Sequence, residues 1–293
     1  MLRARVVRRG VLGTALLLAI GTHAVAQMPT FETRKVTDTA YIFRYMGHQS
    51  LFVVTPEGVI ATDPIGYLRP QAVTAYISEI RKVTSAPIKY VVYSHHHYDH
   101  ISGGRPFKDM GATFIAHRNA RTRLEALRHP DVVLPDVVVD DRSVLELGGV
   151  RVELHYVGRN HSDNSLVVLL PKERLLFAVD FIPIGTVNFR NMLDSYLPDW
   201  FDSLDRVLAL EWDRLIPGHP YAGGRLGTKE DVRALKQFMA DLSDAVRLAA
   251  DQGKCWDQAM KEIRLPKYEK WGAYDQDLPG NIERFCAYWG RGF

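Results

Sequence analysis

Four imidazoles and one carboxylate lie within seven consecutive positions of the chain, between residues 94 and 100. Neutral imidazole and carboxylate groups are ligands that suit Zn²⁺, Mn²⁺ and iron, and the segment contains no cysteine that would indicate a thiolate site. The spacing therefore predicts a metal site, and a histidine-rich surface loop without metal is the alternative. The segment consists of Ser94, His95, His96, His97, Tyr98, Asp99 and His100.

The residues before this cluster predict a buried strand. Ile88 to Tyr93 is mostly apolar, β-branched or aromatic, and Gly103 and Gly104 follow the cluster. The candidate ligands would therefore lie in a short loop at the end of a strand, where α/β proteins commonly build their sites. From the spacing of its neighbours, His96 is expected to point away from the metal.

The pattern over residues 95–100 resembles the H-x-H-x-D-H signature of the metallo-β-lactamase fold, a superfamily of mostly hydrolytic enzymes with one or two metal ions. Three further motifs extend the resemblance over about residues 36–222. His161 lies in a segment similar to the family's G-x-x-H-[ST] loop, Asp180 ends a predicted strand, and His219 lies in a segment similar to its closing G-H loop. The resemblance implies a four-layer αββα sandwich with all of these residues at one rim.

The resemblance also implies a pair of divalent metal ions, with Zn²⁺ expected first and Mn²⁺ or Fe as alternatives. Asp63, at the end of another predicted strand, would position the histidine loop by hydrogen bonding, or would simply be a turn aspartate. The implied first metal is held by His95, His97 and His161, and the second by Asp99, His100 and His219, with Asp180 between them.

Such a pair of cations predicts hydrolysis without a serine or cysteine nucleophile. Two metals roughly 3.5–4 Å apart share a water whose pKa falls toward neutrality, so that hydroxide is available at the metals. Asp99 can both bind a metal and orient this nucleophile, and it is the predicted catalytic residue. The sequence has no G-x-S-x-G motif that would indicate a serine hydrolase.

The substrate is less well defined by the sequence. The zinc β-lactamases that are similar near His161 carry cysteine in place of Asp180 and a substrate-binding lysine in place of Pro183. Asp180 instead resembles the glyoxalase II, lactonase and phosphodiesterase branches. We therefore expect a small-molecule substrate with an ester, lactone or amide bond, β-lactams included. The alternatives are a mononuclear iron oxidoreductase similar to persulfide dioxygenases and a non-catalytic metal-binding or interaction protein.

The rest of the pattern predicts the elements that position the ligands. Short β-rich runs between residues 36 and 63 predict three strands, and apolar residues at helical spacing predict a helix over roughly 70–84. A strand at 112–116, a helix at 117–128 and more strands between 143 and 180 follow. Alternating strands and helices predict parallel pairing with crossover helices.

The chain is expected to comprise a catalytic domain, residues 30–225, and a helical C-terminal extension, residues 226–293, packed on the same domain. Thr228 and Asp231 form a predicted capping box at the start of the extension. Its aromatic tail is consistent with added core packing, with a homodimer surface or with a lid over the substrate.

Residues 1–26 are expected to be a secretory signal peptide. Four arginines precede an apolar run that is too short for a membrane span, and an A-x-A cleavage signal ends at Ala26. The mature protein is expected to be periplasmic or secreted without a stable membrane anchor, and the export route (general or twin-arginine) is open. Loss of these arginines reduces the 37 basic residues to 33 against 34 acidic ones, so charge provides no case for nucleic acid binding.

The two cysteines of the chain, Cys255 and Cys286, both lie in the extension. Export to an oxidising compartment would permit a disulfide between them, and two buried thiols are the alternative. Neither residue is near the predicted ligands in sequence, so neither is expected to bind metal.

Overall fold

The computed structural model of the protein describes residues 30–292, and the predicted signal peptide lies outside them. Its centre consists of two β-sheets. The first has seven strands in sequential order, antiparallel from β1 to β4 and parallel from β4 to β7. These strands are β1 (Phe31–Lys35), β2 (Ala40–Tyr45), β3 (His48–Thr55), β4 (Gly58–Thr62), β5 (Ile88–Val92), β6 (Thr113–His117) and β7 (Val137–Val139).

The second sheet has five strands in the order β12-β11-β10-β9-β8. Its strands pair antiparallel except for β11 and β12, which are parallel. The ends of β11 and β12 therefore meet at one edge. The strands are β8 (Arg142–Leu147), β9 (Val150–Tyr156), β10 (Leu166–Leu170), β11 (Leu175–Ala178) and β12 (Arg214–Pro217).

Within residues 30–292 there are eight α-helices, and all but the short helix α2 (Tyr98–Ile101), which lies at one rim, pack on the outer faces of the two sheets. Helix α1 begins with Pro70, whose missing N–H is not needed in the first helical turn. The helices are α1 (Pro70–Val83), α2 (Tyr98–Ile101), α3 (Arg105–Asp109), α4 (Arg118–Leu127), α5 (Leu197–Ala209), α6 (Lys229–Asp251), α7 (Asp257–Glu262) and α8 (Tyr274–Arg291).

Three apolar cores separate the resulting four layers. The middle core packs the two sheets face to face, for example Ile60 and Val92 of the first against Leu154 and Phe177 of the second. A second core lies between the first sheet and helices α1, α3 and α4. The third lies between the second sheet and helices α5, α6 and α8. This layering confirms the predicted αββα sandwich.

The C-terminal helices share the third core with the second sheet. Leu235 and Phe238 of α6 and Ile282 and Phe285 of α8 are buried in the same cluster as Leu215 of β12. A complete capping box at Thr228 begins α6, as the sequence predicts. Within residues 30–292 no helix is long and apolar enough to cross a membrane.

A disulfide bond joins the two cysteines of the extension. Cys255 precedes α7 and Cys286 lies on α8, with 5.4 Å between their Cα atoms. The bond ties the α6–α7 connection to the last helix of the fold.

Candidate metal centre

All seven predicted ligands lie at one rim of the sandwich, which we call the metal rim (His95, His97, Asp99, His100, His161, Asp180 and His219). The loop and short helix after β5 carry the first four residues. His161 lies between β9 and β10, and Asp180 and His219 each follow a strand of the parallel β11–β12 pair by two residues. Strand pairing therefore places at one edge residues that are far apart in sequence.

One group of potential ligand atoms comprises His95, His97, His161 and Asp180, whose atoms lie within 4.8 Å of one another. His97 Nδ1 and His161 Nε2 are 3.0 Å apart. Asp180 Oδ2 lies 3.5 Å from Nε2 of both His95 and His161. Three imidazoles and one carboxylate oxygen thus converge on one point.

A second group, within the same limit, comprises His48, Asp99, His100 and His219. Asp180 reaches this group as well, since its Oδ2 lies 3.2 Å from His100 Nε2 and its Oδ1 lies 3.2 Å from His219 Nε2. One carboxylate therefore faces four imidazoles from two groups. This is the arrangement that a bridging ligand between two metals requires.

Several atoms of the metal rim are buried without a hydrogen-bond partner. They include Nε2 of His95, Nε2 of His100 and Oδ1 of Asp180, whose neighbouring ligand atoms at 3.2–3.5 Å are not oriented for a hydrogen bond. Burying a polar atom without a partner costs about 1–3 kcal/mol, so such atoms normally have a protein, water or metal partner. Imidazole nitrogens and a carboxylate oxygen are also the ligand types that Zn²⁺ accepts. The residues present therefore fit a pair of metal ions.

The electrostatics of the rim favour cations. Burial lowers the pKa of His161 to about 4 and that of His95 well below its usual value, so both rings are neutral and able to bind metal. Burial would also lower the pKa of His100, but the carboxylates of Asp180 and Asp99 outweigh it and raise this pKa to about 10. The carboxylates thus create a strongly negative environment in which bound cations would be stabilised.

Asp63 supports the histidine loop from below. Its Oδ1 accepts a hydrogen bond of 2.8 Å from the backbone N–H of Ser94, and its Oδ2 lies 3.7 Å from Nδ1 of His100. Burial raises the pKa of Asp63 to about 6 although His100 opposes this shift. The carboxylate thus contacts the loop that the sequence assigns to it.

Gly218 permits the close approach of β11 and β12 beside Asp180. A Cβ atom at this position would lie 2.6 Å from Val179 Cγ1 and 2.8 Å from Asp180 Oδ1. Asp180 itself has a φ of 66°, in the left-handed region that aspartate tolerates better than most side chains. A glycine is therefore required next to Asp180.

His96 belongs to neither of these two groups. Its Nδ1 accepts a 2.9 Å hydrogen bond from the side-chain amide of Asn164. It also lies near His97 and Asp194, which form a third set of potential ligands with it.

Three residues of the site were not predicted from the sequence. Asp194 lies in the irregular segment after β11, and its Oδ2 is 3.0 Å from Nε2 of His97. His48 begins β3, and its Nε2 is 3.1 Å from Asp99 Oδ2. Arg69, just before α1, donates from Nη2 to the carbonyl oxygen of Asp99 at 2.8 Å. None of the three belongs to a recognisable motif, so only the folded chain identifies them.

The metal rim opens into a cavity of about 1240 Å³. Its floor includes His97, Asp99, His161, Asp180 and His219. Its largest wall is the segment of residues 182–194, which we call the wall segment and which contributes Ile182, Pro183, Val187, Phe189, Arg190, Asn191, Met192, Leu193 and Asp194.

A sequence model of the metallo-beta-lactamase superfamily matches residues 49–219, so the chain belongs to this superfamily. The α subunit of 2,4-dinitroanisole O-demethylase from Nocardioides sp. is 25% identical over 227 residues, which are 76% of this chain and 68% of the relative. A type 2 metallo-beta-lactamase from Bacillus cereus is 27% identical over 154 residues, 51% of this chain and 58% of the relative. A linear primary-alkylsulfatase from Pseudomonas sp. is 22% identical over 274 residues, 74% of this chain but only 50% of the relative.

Solved structures share the fold. A metallo-beta-lactamase from Pontibacter korlensis has a TM-score of 0.61 at 19% identity and covers 72% of this chain and 99% of its own. An inverting sec-alkylsulfatase from Pseudomonas sp. has a TM-score of 0.72 at 16% identity and covers 90% of this chain and 50% of its own. The likeness to the sulfatase thus extends over more of this chain than the likeness to the lactamase. The predicted family is confirmed, and relatives within it have different reactions in their names.

Proposed function

We propose that the protein is an exported hydrolase that uses two divalent metal ions, first of all Zn²⁺, to cleave an ester, lactone or amide bond in a small molecule. The observation that carries this proposal is the position of Asp180, whose carboxylate lies within 3.5 Å of an imidazole nitrogen of four histidines. A single metal would leave the complete second group, with Asp99, His100 and His219, without a role.

When bound, the two cations would supply a nucleophilic hydroxide at neutral pH and stabilise negative charge on the reacting group. The residues of the chain do the rest. His95, His97 and His161 would hold one metal, and Asp180 would set the separation between the two. Asp99 belongs to the second group and lines the floor of the cavity. Its carboxylate can there accept a hydrogen bond from the nucleophile and so fix the direction in which the nucleophile attacks.

The names of the relatives define the bonds to test. They include a β-lactamase, an alkylsulfatase and an O-demethylase, which act on an amide, a sulfate ester and an ether. β-Lactam cleavage is expected to be weak, because Pro183 occupies the position at which the similar lactamases carry a substrate-binding lysine. A carboxylic ester or lactone is the substrate that we favour.

Export is supported by the apolar N-terminal segment and by the disulfide between Cys255 and Cys286, because disulfides persist mainly in oxidising compartments. N-terminal sequencing of protein recovered from the periplasm of an expression host would test it. A mature chain that begins near Gln27 is the expected result, and retention of Met1 in the cytoplasm would contradict export.

Metal content and turnover test the catalytic proposal together. We expect purified protein to contain about two metals per chain and to hydrolyse at least one member of a panel of carboxylic esters, lactones, thioesters, alkyl sulfates and a β-lactam. Chelation should abolish turnover and Zn²⁺ or Mn²⁺ should restore it. One iron per chain with oxygen consumption would instead support the oxidoreductase alternative.

A further inference from the structure

The surface that lines the cavity is more apolar than polar, although the charged residues Arg34, Arg44 and Arg190 also line it. Ile182, Val187 and Met192 are among the lining residues, although at most 4% of each is exposed to solvent. Met46 and Tyr221 line the same cavity. The part of the cavity that these apolar side chains line, which we call the channel, therefore belongs to the same cavity as the metal rim.

The mouth of this channel exposes large apolar side chains to solvent. Leu193 is 92% exposed, and Phe189 and Met46 are each 58% exposed. Single exposed apolar residues are common, whereas several of them around one cavity are typical of a surface that binds an apolar ligand. All three line the same cavity as the metal rim.

Side chains of helix α8 donate hydrogen bonds to the backbone of the wall segment and of Ser195, which follows it. The side-chain amide of Asn281 donates to the carbonyl oxygens of Asn188 at 2.9 Å and Arg190 at 2.7 Å. Arg284 donates to the carbonyl oxygen of Ser195 at 2.6 Å. These bonds restrain the backbone on both sides of the exposed side chains Phe189 and Leu193.

We propose that the substrate carries a long aliphatic chain that lies along the wall segment while its ester or lactone group meets the metal rim. This proposal rests on the proposed hydrolase function and names its substrate class. The cavity of about 1240 Å³ exceeds the roughly 300–1,000 Å³ that is typical of small-molecule sites. An acetyl group would leave most of the channel without contact, whereas a chain of eight or more carbons would cover the apolar wall.

The test is a series of p-nitrophenyl esters from acetate to dodecanoate, used below their micelle concentrations with the metal-loaded protein. Each buried methylene contributes about 0.8 kcal/mol, so kcat/KM should rise up to about fourfold per carbon and then level off. The double variant Phe189→Ser, Leu193→Ser should reduce the ratio of dodecanoate to acetate turnover at least tenfold. The matched control Leu68→Ser, Leu248→Ser removes two exposed leucines outside the cavity and should leave that ratio unchanged.

Binding of fatty acids to the metal-loaded protein separates the two proposals. Calorimetry should show affinity that rises from butanoate to dodecanoate and falls in the wall variant. Equal turnover of all esters would overturn the chain proposal and leave the hydrolase intact. Chain-length-dependent binding without any turnover would support the chain proposal and contradict the hydrolase, and the absence of both would overturn both.

A separate observation concerns His48, which lies between a guanidinium and a carboxylate. Arg69 Nη1 is 2.8 Å from His48 Nδ1 and 3.3 Å from its Nε2. On the other side His48 Nε2 is 3.1 Å from Asp99 Oδ2. The guanidinium can only donate and the ionised carboxylate can only accept. The ring is therefore the tautomer that accepts at Nδ1 and donates from Nε2.

We infer that His48 is a positioning residue for the metal ligand Asp99. The alternative is that His48 is a fifth ligand of the second metal, since it lies close to the other ligand atoms of the second group. A nitrogen that donates a hydrogen bond has no lone pair for a metal. Arg69 completes the arrangement, because its Nη2 also holds the carbonyl oxygen of Asp99. The pair would fix the carboxylate that faces the second metal and the nucleophile.

Cobalt titration followed by absorption spectroscopy distinguishes the two roles. His48→Ala should still bind two Co²⁺ with an unchanged spectrum at saturation, but with affinity at the second site about 10–100-fold weaker. His48→Gln, which keeps a donor, should recover part of this loss, and Arg69→Met should weaken the same site. His155→Ala, in β9, is the matched control and should have no effect. A saturated spectrum that has lost a nitrogen ligand, or an unchanged affinity, would overturn the inference.

Discussion

The metal rim and the wall segment line the same cavity but are built in different ways. The ligands of the rim lie at the ends of paired strands, so buried β-ladders set their positions. The wall segment forms no helix or paired strand of its own apart from one bridge at Thr186 to Gly272. Its backbone is instead held by α8, about ninety residues further along the chain. Metal binding and substrate selection should therefore be separable by mutation.

Asp180→Ala should have the largest effect and should be confined to the rim. Without this carboxylate the second of the two proposed metals would lose its link to the first, and the stabilisation of several kcal/mol that the pair would provide would be lost. We expect one metal per chain and a fall in kcat/KM of about 10³-fold or more. Two bound metals with full turnover, measured by elemental analysis and ester hydrolysis, would contradict the assignment of this residue.

Gly218→Ala should disturb the rim by steric means alone. The added methyl group would clash with Val179 and Asp180, and overpacking of this kind costs about 1–3 kcal/mol. We expect weaker metal binding and a lower melting temperature. Gly47→Ala is the control, since no atom lies within 4 Å of its added carbon. If both variants bind metal equally well, the close approach of β11 and β12 is not what positions Asp180.

Asp63→Ala tests whether the hydrogen bond from the Ser94 backbone to Asp63 positions the histidine loop of the metal rim. Loss of the hydrogen bond to the Ser94 backbone should loosen the loop that carries His95 and His97, without removing a ligand. Replacing such a partner typically costs tenfold to a hundredfold in metal affinity or activity. Competition with a calibrated chelator measures the affinity, and a loss as large as that of Asp180→Ala would make Asp63 a ligand.

Asn281→Ala should affect the wall and leave the rim intact. Its amide also donates to the Asp277 carbonyl within α8, so its loss should destabilise the fold by about 1–3 kcal/mol. We expect KM for long-chain esters to rise several-fold while two metals remain bound. Asn119→Ala, whose amide bonds to Asp163 on the surface, is the control. A loss of metal in Asn281→Ala would mean that wall and rim are not independent.

Replacing both Cys255 and Cys286 with alanine should have the smallest effect on catalysis. The two cysteines are 31 positions apart in the sequence. A disulfide that closes a loop of this length stabilises a protein by about 3–4 kcal/mol in the chain-entropy model. Chemical denaturation should show a loss of this size, with unchanged metal content. Titration of free thiols in unfolded, unreduced wild-type protein should detect none, and two thiols per chain would rule out the disulfide.

The contrast between the two regions also explains what the sequence could predict. Most strands were predictable from apolar runs, and the sandwich and the rim were predictable because the motifs after those runs resemble a known family. Strands β1 and β7 were not predicted. Asp194 and Arg69 contact ligands or their backbone only through the tertiary fold, and no local pattern marks them. The same holds for His48, a single histidine at the start of β3. Helix α5 was also not predicted, although its buried residues Trp200, Leu204 and Val207 have helical spacing.

The metal rim and the wall segment meet at Asp194. Asp194 ends the wall segment, and its carboxylate lies 3.0 Å from the nitrogen of His97 that faces away from the first metal group. Burial raises the pKa of Asp194, but the hydrogen bond to His97 outweighs burial and lowers this pKa below its usual value. The carboxylate is therefore ionised at neutral pH. It would fix the orientation of the His97 ring, as carboxylate partners of metal-binding histidines do.

The distribution of the ligands over both sheets has a mechanical consequence. Residues 95–100 extend from the first sheet, whereas His161, Asp180 and His219 extend from the second. Bound metals would therefore act as a cross-link between the two halves of the sandwich, closing chain segments of up to about 120 residues. A cross-link lowers the entropy of the unfolded chain, and metal binding stabilises the folded state. Metal release should therefore let the two sheets separate first at the metal rim. Hydrogen exchange at the ends of β5, β11 and β12 would then quicken before the buried centre of either sheet responds.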